Sequence, residues 1–276
     1  MKKRRADEAL VSDLGLESVA LARALIMEGR VMAGDRKILR PSELLKHDDV
    51  LRVRGELDAY VSRGAHKLKK ALEVFGIDLN GRMCVDVGAS TGGFTDVMLR
   101  AGAKRVYSVD VGYNLLDYRL RSDGRVVCME RTNARFLKPE AFDPRPDFGA
   151  TDVSFISLKA VLPAALGVLA DDNQGFVALV KPQFEAGKDE VGEKGVVRDR
   201  AVHEKVLKDI TGFIPTLGWG VAGLDYSPIR GPEGNIEFLL YLKQYDKSTN
   251  FLRDISIDVT ITRAYDNFFK SVSGGL

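Results

Sequence analysis

Two charged residues follow apolar, strand-like runs and could carry out acid–base chemistry on a substrate. Asp152 lies in the run TDVSF, and Lys181 lies in the run VKPQF, where Pro182 restricts the lysine to an extended backbone. Lys67, in a basic stretch before the first strand-like run, and Glu237, in the last such run, could reach the same place. We interpret these four charged residues as a candidate catalytic group.

A lysine of this group could act as a general base. Partial desolvation beside another cation lowers the proton affinity of a lysine, which can then accept a proton from a weakly acidic hydroxyl. The two carboxylates would orient the lysines and keep the total charge of the group near neutral. The group therefore suits activation of a ribose 2′-hydroxyl towards a methyl sulfonium. A purely structural role for charges at strand ends is the alternative.

The stretch MCVDVGASTGGFT, residues 83–95, predicts the element that would position these side chains. Its first five residues are apolar except for Asp86, which is typical of a buried parallel strand. Three glycines in the next six residues allow a sharp turn and a close approach of the backbone to a ligand. The following strand-like run ends in Asp110, an acid placed to accept hydrogen bonds from a ribose diol. The ligand is therefore expected to carry a nucleoside.

The composition of this glycine loop distinguishes between nucleoside ligands. A P-loop ends in Gly-Lys-Ser or Gly-Lys-Thr, whereas this loop ends in Gly-Gly-Phe, which disfavours ATP and GTP. The dinucleotide fingerprint has a glycine where this chain has Ser90, which weakens the case for NAD without excluding it. S-adenosylmethionine carries a ribose and an adenine but no phosphate, so it suits the loop better. A tight turn that binds nothing is the remaining alternative.

Length and composition predict a globular protein without a large excess of either charge. The chain has 276 residues and a net charge of only +2, so any surface for nucleic acid has to be local. Cys84 and Cys128 both lie in apolar runs, which predicts buried thiols in a reducing compartment. Acids at positions 7, 8 and 13 interrupt any apolar signal segment, and no apolar window is long enough to span a bilayer. We expect a cytoplasmic protein.

Apolar runs alternate with helical patterns over most of the chain, notably helical patterns at residues 157–170 and 198–217. A pair of late runs, 219–226 and 235–245, reads as two strands joined by a turn that contains Pro and Gly. This order predicts an α/β fold of Rossmann-like architecture, with helices on both faces of a mostly parallel sheet and a closing antiparallel hairpin. Such sheets bind ligands outside the carboxyl ends of their strands, where the candidate residues lie.

The first 54 residues predict a small separate α+β module. They carry twelve lysines and arginines against nine acids, a net charge of +3. Two short helices are predicted at residues 6–14 and 18–28, with Ser18 as a cap, followed by strand-like pieces at 30–32 and 50–53 around a basic loop. This is too little chain for the main domain. A charged, solvated cap without a ligand stays open as the alternative.

Five ordered motifs resemble the TlyA family. They are YVSRGAHKL from residue 60, DVGASTGGFT from 86, TDVSFIS from 151, KPQFE from 181 and GNIEF from 234. That family joins an S-four-type RNA-binding domain, which residues 5–10, 20–34 and 48–53 resemble, to an FtsJ-like methyltransferase domain. Its members are described as ribosomal RNA 2′-O-methyltransferases and are often labelled hemolysins. The resemblance implies an S-four-type domain at 1–54, a linker at 55–59, the methyltransferase domain at 60–246 and a C-terminal extension of it at 247–276.

The resemblance also implies site residues and partners. The catalytic tetrad falls on Lys67, Asp152, Lys181 and Glu237. Contacts to S-adenosylmethionine fall on Asp86, Gly88, Ala89, Ser90, Thr91, Gly92, Gly93, Phe94, Asp110, Asn133 and Asp152. Contacts to ribosomal RNA and its subunits fall on the basic residues Arg4, Arg5, Arg23, Arg36, Lys37, Arg63, Lys69 and Lys70. The usual target in the family is a cytidine of the small subunit, the large subunit or both, and neither a metal nor a membrane is implied.

Other chemistries are disfavoured by what the sequence lacks. Methylation of an exocyclic base amine generally uses an Asn/Asp-Pro-Pro-aromatic sequence, whereas this chain has DVSF at residues 152–155. Both cysteines lie within strand-like runs, which disfavours a cysteine nucleophile. His47, His66 and His203 are scattered along the chain, so we expect surface or capping roles and no metal site. A non-catalytic RNA-binding protein and a membrane-lytic hemolysin stay open as alternative functions.

Overall fold

A computed structural model describes residues 4–16, 19–27, 29–46, 49–54, 60–245 and 255–269 of the chain. The chain divides into two compact units, Met1–Arg63 and Gly64–Leu276. Several predictions fall outside the described residues: the linker at 55–59, the cap at Ser18, His47, and the parts of the C-terminal extension at 247–254 and 270–276.

The N-terminal unit contains two helices and five short strands. The helices are α1, Ala6–Leu14, and α2, Val19–Met27, and the strands are β1, Arg4–Arg5, β2, Val31–Ala33, β3, Arg36–Lys37, β4, Leu44–Leu45, and β5, Leu51–Val53. Strand β2 pairs antiparallel with β3 and β5, and β1 pairs antiparallel with β4. Leu10, Ile26, Val31 and Ile38 belong to a small core of this unit. Both predicted helices are present, whereas the predicted basic loop contains strand β3.

The second unit is built on a seven-stranded sheet. Its strands are β6, Met83–Val87, β7, Arg105–Val109, β8, Val126–Met129, β9, Phe148–Thr151, β10, Gly175–Val180, β11, Trp219–Tyr226, and β12, Phe238–Gln244. Their order is β11-β12-β10-β9-β6-β7-β8. The strands from β10 to β8 are parallel, and β12 is antiparallel to both β10 and β11. This topology confirms the predicted α/β sheet with a closing antiparallel hairpin.

The helices of this unit pack in two groups. They are α3, Ala65–Phe75, α4, Gly93–Arg100, α5, Tyr118–Arg121, α6, Leu158–Gly167, α7, Pro182–Glu185, α8, Arg200–Phe213, and α9, Ile257–Phe269. Helix α3 contacts α4, β11 and β12, whereas α8 contacts both α6 and α9. Helix α9 belongs to the predicted C-terminal extension and buries Ile261 and Ala264. Over the parts of the chain that the structure describes, no helix is both long and apolar enough to cross a membrane.

The central strands are buried, and this fixes the positions of their ends. All six residues of β10 are buried, as expected for a parallel strand covered on both faces. Phe148, Phe176 and Phe238 stand on the neighbouring strands β9, β10 and β12, and each is completely inaccessible to solvent. Gly149 leaves space for one of these rings, because a Cβ atom at this position would lie 2.4 Å from the Phe176 ring. The strand ends therefore rest on a tightly packed core.

Candidate active site

The four candidate catalytic residues meet at the carboxyl edge of the sheet. Asp152 directly follows β9, and Lys181 directly follows β10. Val180 pairs with Phe238 in the antiparallel ladder of β10 and β12, so Glu237, which precedes β12, reaches the same edge. Lys67 lies in the first turn of α3 on its buried face. Strands β9, β10 and β12 and helix α3 thus each position one of the four side chains.

The four side chains form a continuous chain of ion pairs. Lys67 Nζ lies 2.7 Å from Glu237 Oε2 and 3.1 Å from Asp152 Oδ2. Lys181 Nζ lies 2.6 Å from Asp152 Oδ1 and donates a hydrogen bond to Ser154 Oγ at 2.8 Å. Asp152 is therefore shared by both lysines, and the two positive charges balance the two negative charges. The side chains of both lysines are at most 10% exposed, which keeps these contacts strong.

The ion pairs shift the pKa values of three of these groups. Burial lowers the pKa of Lys67, but the carboxylates of Asp152 and Glu237 outweigh it and leave the pKa above its ordinary value. Burial raises the pKa of Asp152, and the two lysines together hold it below its ordinary value. For Glu237, burial is the larger effect and the pKa is raised. The expectation that a lysine of this group loses proton affinity is therefore wrong for Lys67, which is a fixed cation held by two acids.

Glu237 is held in place by its own neighbourhood. It is 1% exposed, and its backbone carbonyl accepts a hydrogen bond from Ser227 N at 2.8 Å. Two residues earlier, Asn235 accepts a hydrogen bond from Val197 N at 2.9 Å and donates one to Gly195 O at 2.9 Å. The oxygen and the nitrogen of the Asn235 amide thus both anchor the segment that carries Glu237.

Asp86 lies beneath the glycine loop. It is 1% exposed, and its Oδ2 accepts hydrogen bonds from Thr95 N at 2.9 Å and from Thr95 Oγ1 at 2.7 Å. Thr95 belongs to the first turn of α4, so Asp86 ties the end of β6 to the start of the helix across the loop. Its Oδ1 is buried and has no hydrogen-bond partner among the residues that the structure describes. Burial accordingly raises the pKa of Asp86 to about 7.

Substitution Asp86→Asn is expected to change how stability depends on pH. The folded-state pKa of Asp86, about 7, lies above the ordinary value of 3.8. The wild-type chain therefore loses stability as the pH rises from about 4 to about 7. A rise of this size corresponds to about 4 kcal/mol. The unfolding free energy of the variant, relative to wild type, should therefore increase between pH 4 and pH 8, as measured by denaturant titration. A relative stability that is constant with pH would contradict this assignment.

A cavity of about 700 Å³ opens beside the glycine loop and the ion-pair chain. Its size suits a nucleoside-sized ligand. Five residues predicted to bind the cofactor line it: Gly88, Ser90, Asp110, Asn133 and Asp152. The other predicted residues are not part of its wall: Asp86 belongs to β6, and Ala89, Thr91, Gly92, Gly93 and Phe94 build the loop and the start of α4.

The loop backbone approaches the cavity because Gly88 carries no side chain. Gly88 has φ +87°, and a Cβ atom there would lie 3.0 Å from Val153 Cγ1 and 3.1 Å from Asp152 O. Asp110 is oriented by two backbone groups, since its Oδ2 accepts from Ser90 N at 2.8 Å and its Oδ1 from Gly112 N at 2.7 Å. Each carboxylate oxygen retains a further lone pair, so Asp110 can still accept hydrogen bonds from the hydroxyls of a ribose. The wall therefore fits S-adenosylmethionine as ligand.

Four further lining residues, Thr132, Val153, Ser154 and Phe155, lie just after strand ends, where the sequence predicts ligand binding. Sequence reasoning missed the other residues that line the cavity, namely Val109, Val111, Leu115, Ala134, Arg135, Ile156 and Val161. Phe155 stands out, because it is 90% exposed and has φ +64°, a conformation that is costly for a bulky residue. Its ring lies 5.1 Å from the ring of Phe184, which follows Lys181 by three residues. The position after a strand end was the available signal, because no periodic pattern marks these residues.

Most predicted RNA contacts in the N-terminal unit form ion pairs within that unit. Asp7 is fully buried, with Arg5 Nη2 at 2.9 Å and Arg23 Nε at 2.8 Å from its Oδ2. A hydrogen bond from Arg5 is the largest effect that lowers the pKa of Asp7 to about 2. Arg4 pairs with Asp13 at 2.6 Å, and Arg36 pairs with Glu43. Lys37 and Arg63 are exposed.

The two predicted RNA contacts on α3 differ. Lys69 is exposed and lies 3.8 Å from Glu73 on the next turn. Lys70 donates a hydrogen bond to Tyr226 O at 2.6 Å and lies 3.5 Å above the Tyr226 ring. It also lies 3.3 Å from the buried Asp225. Lys70 therefore fastens α3 to β11, and the exposure that an RNA contact needs is largely lost.

The expectation of a surface or capping role for His203 is wrong. His203 lies within α8, is 1% exposed, and its ring meets Phe238 and Tyr265 edge-on. Its Nδ1 lies 3.0 Å from Tyr265 Oη, and burial lowers its pKa to about 4. The helical spacing that places His203 beside the buried Val206 and Leu207 would have indicated this position. No group of three potential metal ligands is found among the described residues.

Comparison with known proteins identifies the family of this arrangement. Residues 60–244 match the family model of the FtsJ-like methyltransferases. A 16S/23S rRNA (cytidine-2′-O)-methyltransferase, TlyA of Mycobacterium tuberculosis, is 44% identical over 243 residues, which are 88% of this chain and 90% of the relative. Hemolysin A of Brachyspira hyodysenteriae is 40% identical over 86% of this chain and 98% of its own.

A solved structure with a similar sequence covers nearly all of this chain. The structure of a hemolysin-named protein from Streptococcus thermophilus superposes with a TM-score of 0.77, is 44% identical and covers 99% of both chains. The fold, the strand-end acids and lysines and the glycine loop are those expected of an enzyme that transfers a methyl group from S-adenosylmethionine. The chain belongs to the FtsJ-like methyltransferase family and, within it, to the TlyA group.

Proposed function

We propose that the chain methylates a ribose 2′-hydroxyl of ribosomal RNA, with a cytidine as the target nucleotide. The observation that carries this proposal is the position of Asp152, which lines the cofactor cavity and contacts both lysines. A hydroxyl presented at the mouth of the cavity would meet Lys181. The name of the Mycobacterium tuberculosis relative supports the ribose 2′-oxygen and cytidine as the target.

Lys181 is the proposed general base of the reaction. When bound, S-adenosylmethionine supplies a methyl group on a positively charged sulfur. Lys181 first releases its ammonium proton to solvent, and the neutral amine then accepts the proton of the 2′-hydroxyl at Nζ as the oxygen becomes a nucleophile. Asp152 and Ser154 hold that nitrogen by contacts of 2.6 and 2.8 Å. Lys67 keeps its proton and offsets one of the two negative charges of Asp152 and Glu237.

The N-terminal unit is the proposed RNA-binding module. We assign residues 1–54 to an S-four-type domain, 55–59 to a linker and 60–276 to the methyltransferase domain with its extension. Exposed Lys37, Arg63 and Lys69, together with the partly exposed arginines of the N-terminal unit, are the proposed phosphate contacts. An enzyme that acts on ribosomal subunits would work in the cytoplasm.

Labelling of isolated ribosomal subunits tests this proposal. The protein is incubated with tritiated S-adenosylmethionine and with small or large subunits from cells that lack the enzyme, and RNA digests are then analysed by mass spectrometry. We expect label on the ribose 2′-oxygen of a cytidine. Label on a base would refute the assignment of the 2′-hydroxyl, and binding to subunits without any cofactor binding would favour the non-catalytic RNA-binding protein.

Phe155 is the proposed stacking platform for the target base. Stacking of a base on an aromatic ring contributes about 1–3 kcal/mol, so Phe155→Ala should raise the KM for RNA roughly tenfold while Phe155→Tyr has little effect. Phe136→Ala is a matched control, because Phe136 is 70% exposed but is not part of the cavity wall. Steady-state methyl transfer and calorimetry with S-adenosylmethionine measure the two affinities. An unchanged KM for RNA with weakened cofactor binding would instead assign Phe155 to the cofactor.

A further inference from the structure

Glu185 connects the two segments that carry Asp152 and Lys181. Its Oε2 accepts a hydrogen bond from Ser157 Oγ at 2.6 Å, and its Oε1 accepts one from Leu158 N at 2.7 Å. Ser157 and Leu158 begin α6, five and six residues after Asp152, whereas Glu185 ends α7, four residues after Lys181. Both carboxylate oxygens are therefore used to join the segment that follows β9 to the segment that follows β10.

The donors in this contact have few other partners within the structure. Leu158 N lies at the start of α6, where backbone N–H groups have no acceptor within the helix. Ser157 caps the same helix by accepting a hydrogen bond from Lys159 N at 3.1 Å, and it has a single hydroxyl hydrogen, which is directed to Glu185. Glu185 thus satisfies a backbone donor and fixes the rotamer of the capping serine.

The short helix α7 transmits this contact to Lys181. Phe184 N donates to Lys181 O at 2.9 Å, and Ala186 N donates to Pro182 O at 2.9 Å, so the turn is closed around the lysine. At the other end of the same pair of segments, Lys181 Nζ lies 2.6 Å from Asp152 Oδ1. The two segments are consequently joined at one end by Lys181, which contacts Asp152 and Ser154, and at the other end by Glu185. The rings of Phe155 and Phe184 are in contact between these points.

A carboxylate at this position is costly unless its contacts are needed. Burial raises the pKa of Glu185. Among the described residues, no lysine or arginine forms an ion pair with it, since the nearby Lys159 pairs with Asp209 at 2.6 Å. Glutamine would offer only one acceptor oxygen to the two donors. The role of the Glu185 carboxylate is therefore to accept two hydrogen bonds, one at each oxygen, and not to pair with a cation.

We infer that Glu185 is a positioning residue, which fixes the separation of Asp152 and Lys181 and the presentation of Phe155 through its hydrogen bonds to Ser157 and Leu158. It does not contact the substrate. The inference rests on the proposed function, because it takes Lys181 as the general base and Phe155 as the stacking platform. Misplacement of a catalytic group by about 1 Å can lower a rate about a hundredfold. Loss of this contact should therefore lower kcat without unfolding the protein.

Three variants and one control test the inference. Glu185→Gln keeps the shape but loses one acceptor, Ser157→Ala loses one donor, and the double variant loses both. Glu190→Gln is the matched control: Glu190 also accepts a hydrogen bond from a nearby backbone N–H, Gly187 N at 2.9 Å, but pairs with the exposed Lys205 away from the tetrad. For each protein, kcat, the KM for RNA, the Kd for S-adenosylmethionine and the Tm are measured.

We expect Glu185→Gln to lower kcat about tenfold or more, with the cofactor Kd and the Tm close to wild type and to Glu190→Gln. Because Ser157 and Glu185 act through one contact, the double variant should be no slower than Glu185→Gln alone. A wild-type kcat in Glu185→Gln would overturn the inference, as would a loss of kcat that follows a loss of Tm or that is additive in the double variant.

Hydrogen exchange provides a readout that does not depend on activity. Amide exchange of the peptide that spans residues 152–158, followed by mass spectrometry, should be faster in Glu185→Gln than in wild type and unchanged in Glu190→Gln. Equal exchange in all three proteins would overturn the inference. An inactive wild-type protein with faster exchange in Glu185→Gln would count against the proposed function and leave the structural contact established.

Discussion

Replacing Lys181 with alanine is expected to abolish methyl transfer while leaving cofactor binding intact. The amine is removed from the point where the hydroxyl proton would be accepted, and loss of a general base typically lowers a rate by about 10²–10⁴. Lys181 is not part of the cavity wall, so the Kd for S-adenosylmethionine should change little. Single-turnover transfer and calorimetry measure the two quantities. Full activity of this variant would exclude Lys181 as the base.

Substitution Lys181→Arg separates the two roles that a lysine could play there. Arginine keeps the positive charge beside Asp152, but its guanidinium does not lose a proton in proteins. An inactive Lys181→Arg protein is expected if Lys181 acts as a base, whereas substantial activity would mean that only its charge is needed. Lys205→Ala serves as a control, because this lysine pairs with Glu190 at the surface and its side chain is 67% exposed.

Substitution Asp152→Asn should have the second largest effect, on both activity and stability. It leaves Lys67 and Lys181 buried with Glu237 as the one remaining acid of the tetrad, so the group gains a net positive charge. Breaking a buried ion pair from one side costs about 3–5 kcal/mol. We expect a lower Tm at pH 7 and a fall in kcat of about a hundredfold or more.

The pH dependence of Asp152→Asn gives a further check. The wild-type carboxylate has a lowered pKa, so it stabilises the folded chain above about pH 4 and this contribution is lost as the pH falls through its folded-state pKa. The variant has no such contribution to lose. The Tm deficit seen at pH 7 should therefore shrink as the pH falls below about 4. A deficit that stays constant, or that resembles the exposed control Asp171→Asn, would contradict this account.

Much of the fold could be predicted because its strands are short apolar runs between glycines and helical patterns. The run at 175–180 is apolar throughout, and its strand is buried throughout. The proximity of Asp152 and Lys181 could also be predicted, because parallel strands place the residues that follow them at one edge. Strand order could not be predicted in the same way. It depends on which strand pairs with β10, and that is decided by packing between residues distant in the sequence.

The residues that the sequence did not reveal are those whose environment is set by tertiary contacts. Lys70 has the composition of a solvated basic face, yet the buried Asp225 and the Tyr226 ring draw it inward. His203 packs against Tyr265, sixty-two residues later. Phe155 has a positive φ that no local pattern requires. In each case the deciding neighbour is far away in the chain.

The antiparallel position of β12 has a consequence for the order in which the enzyme becomes competent. Every residue that lines the cofactor cavity lies between Gly88 and Val161, whereas the tetrad is complete only when Glu237 joins Lys67. Contacts between residues that are distant in the sequence form slowly during folding. The contact of Glu237 with Lys67 spans most of the chain, so the charge balance of the tetrad would be among the last features of the site to be completed.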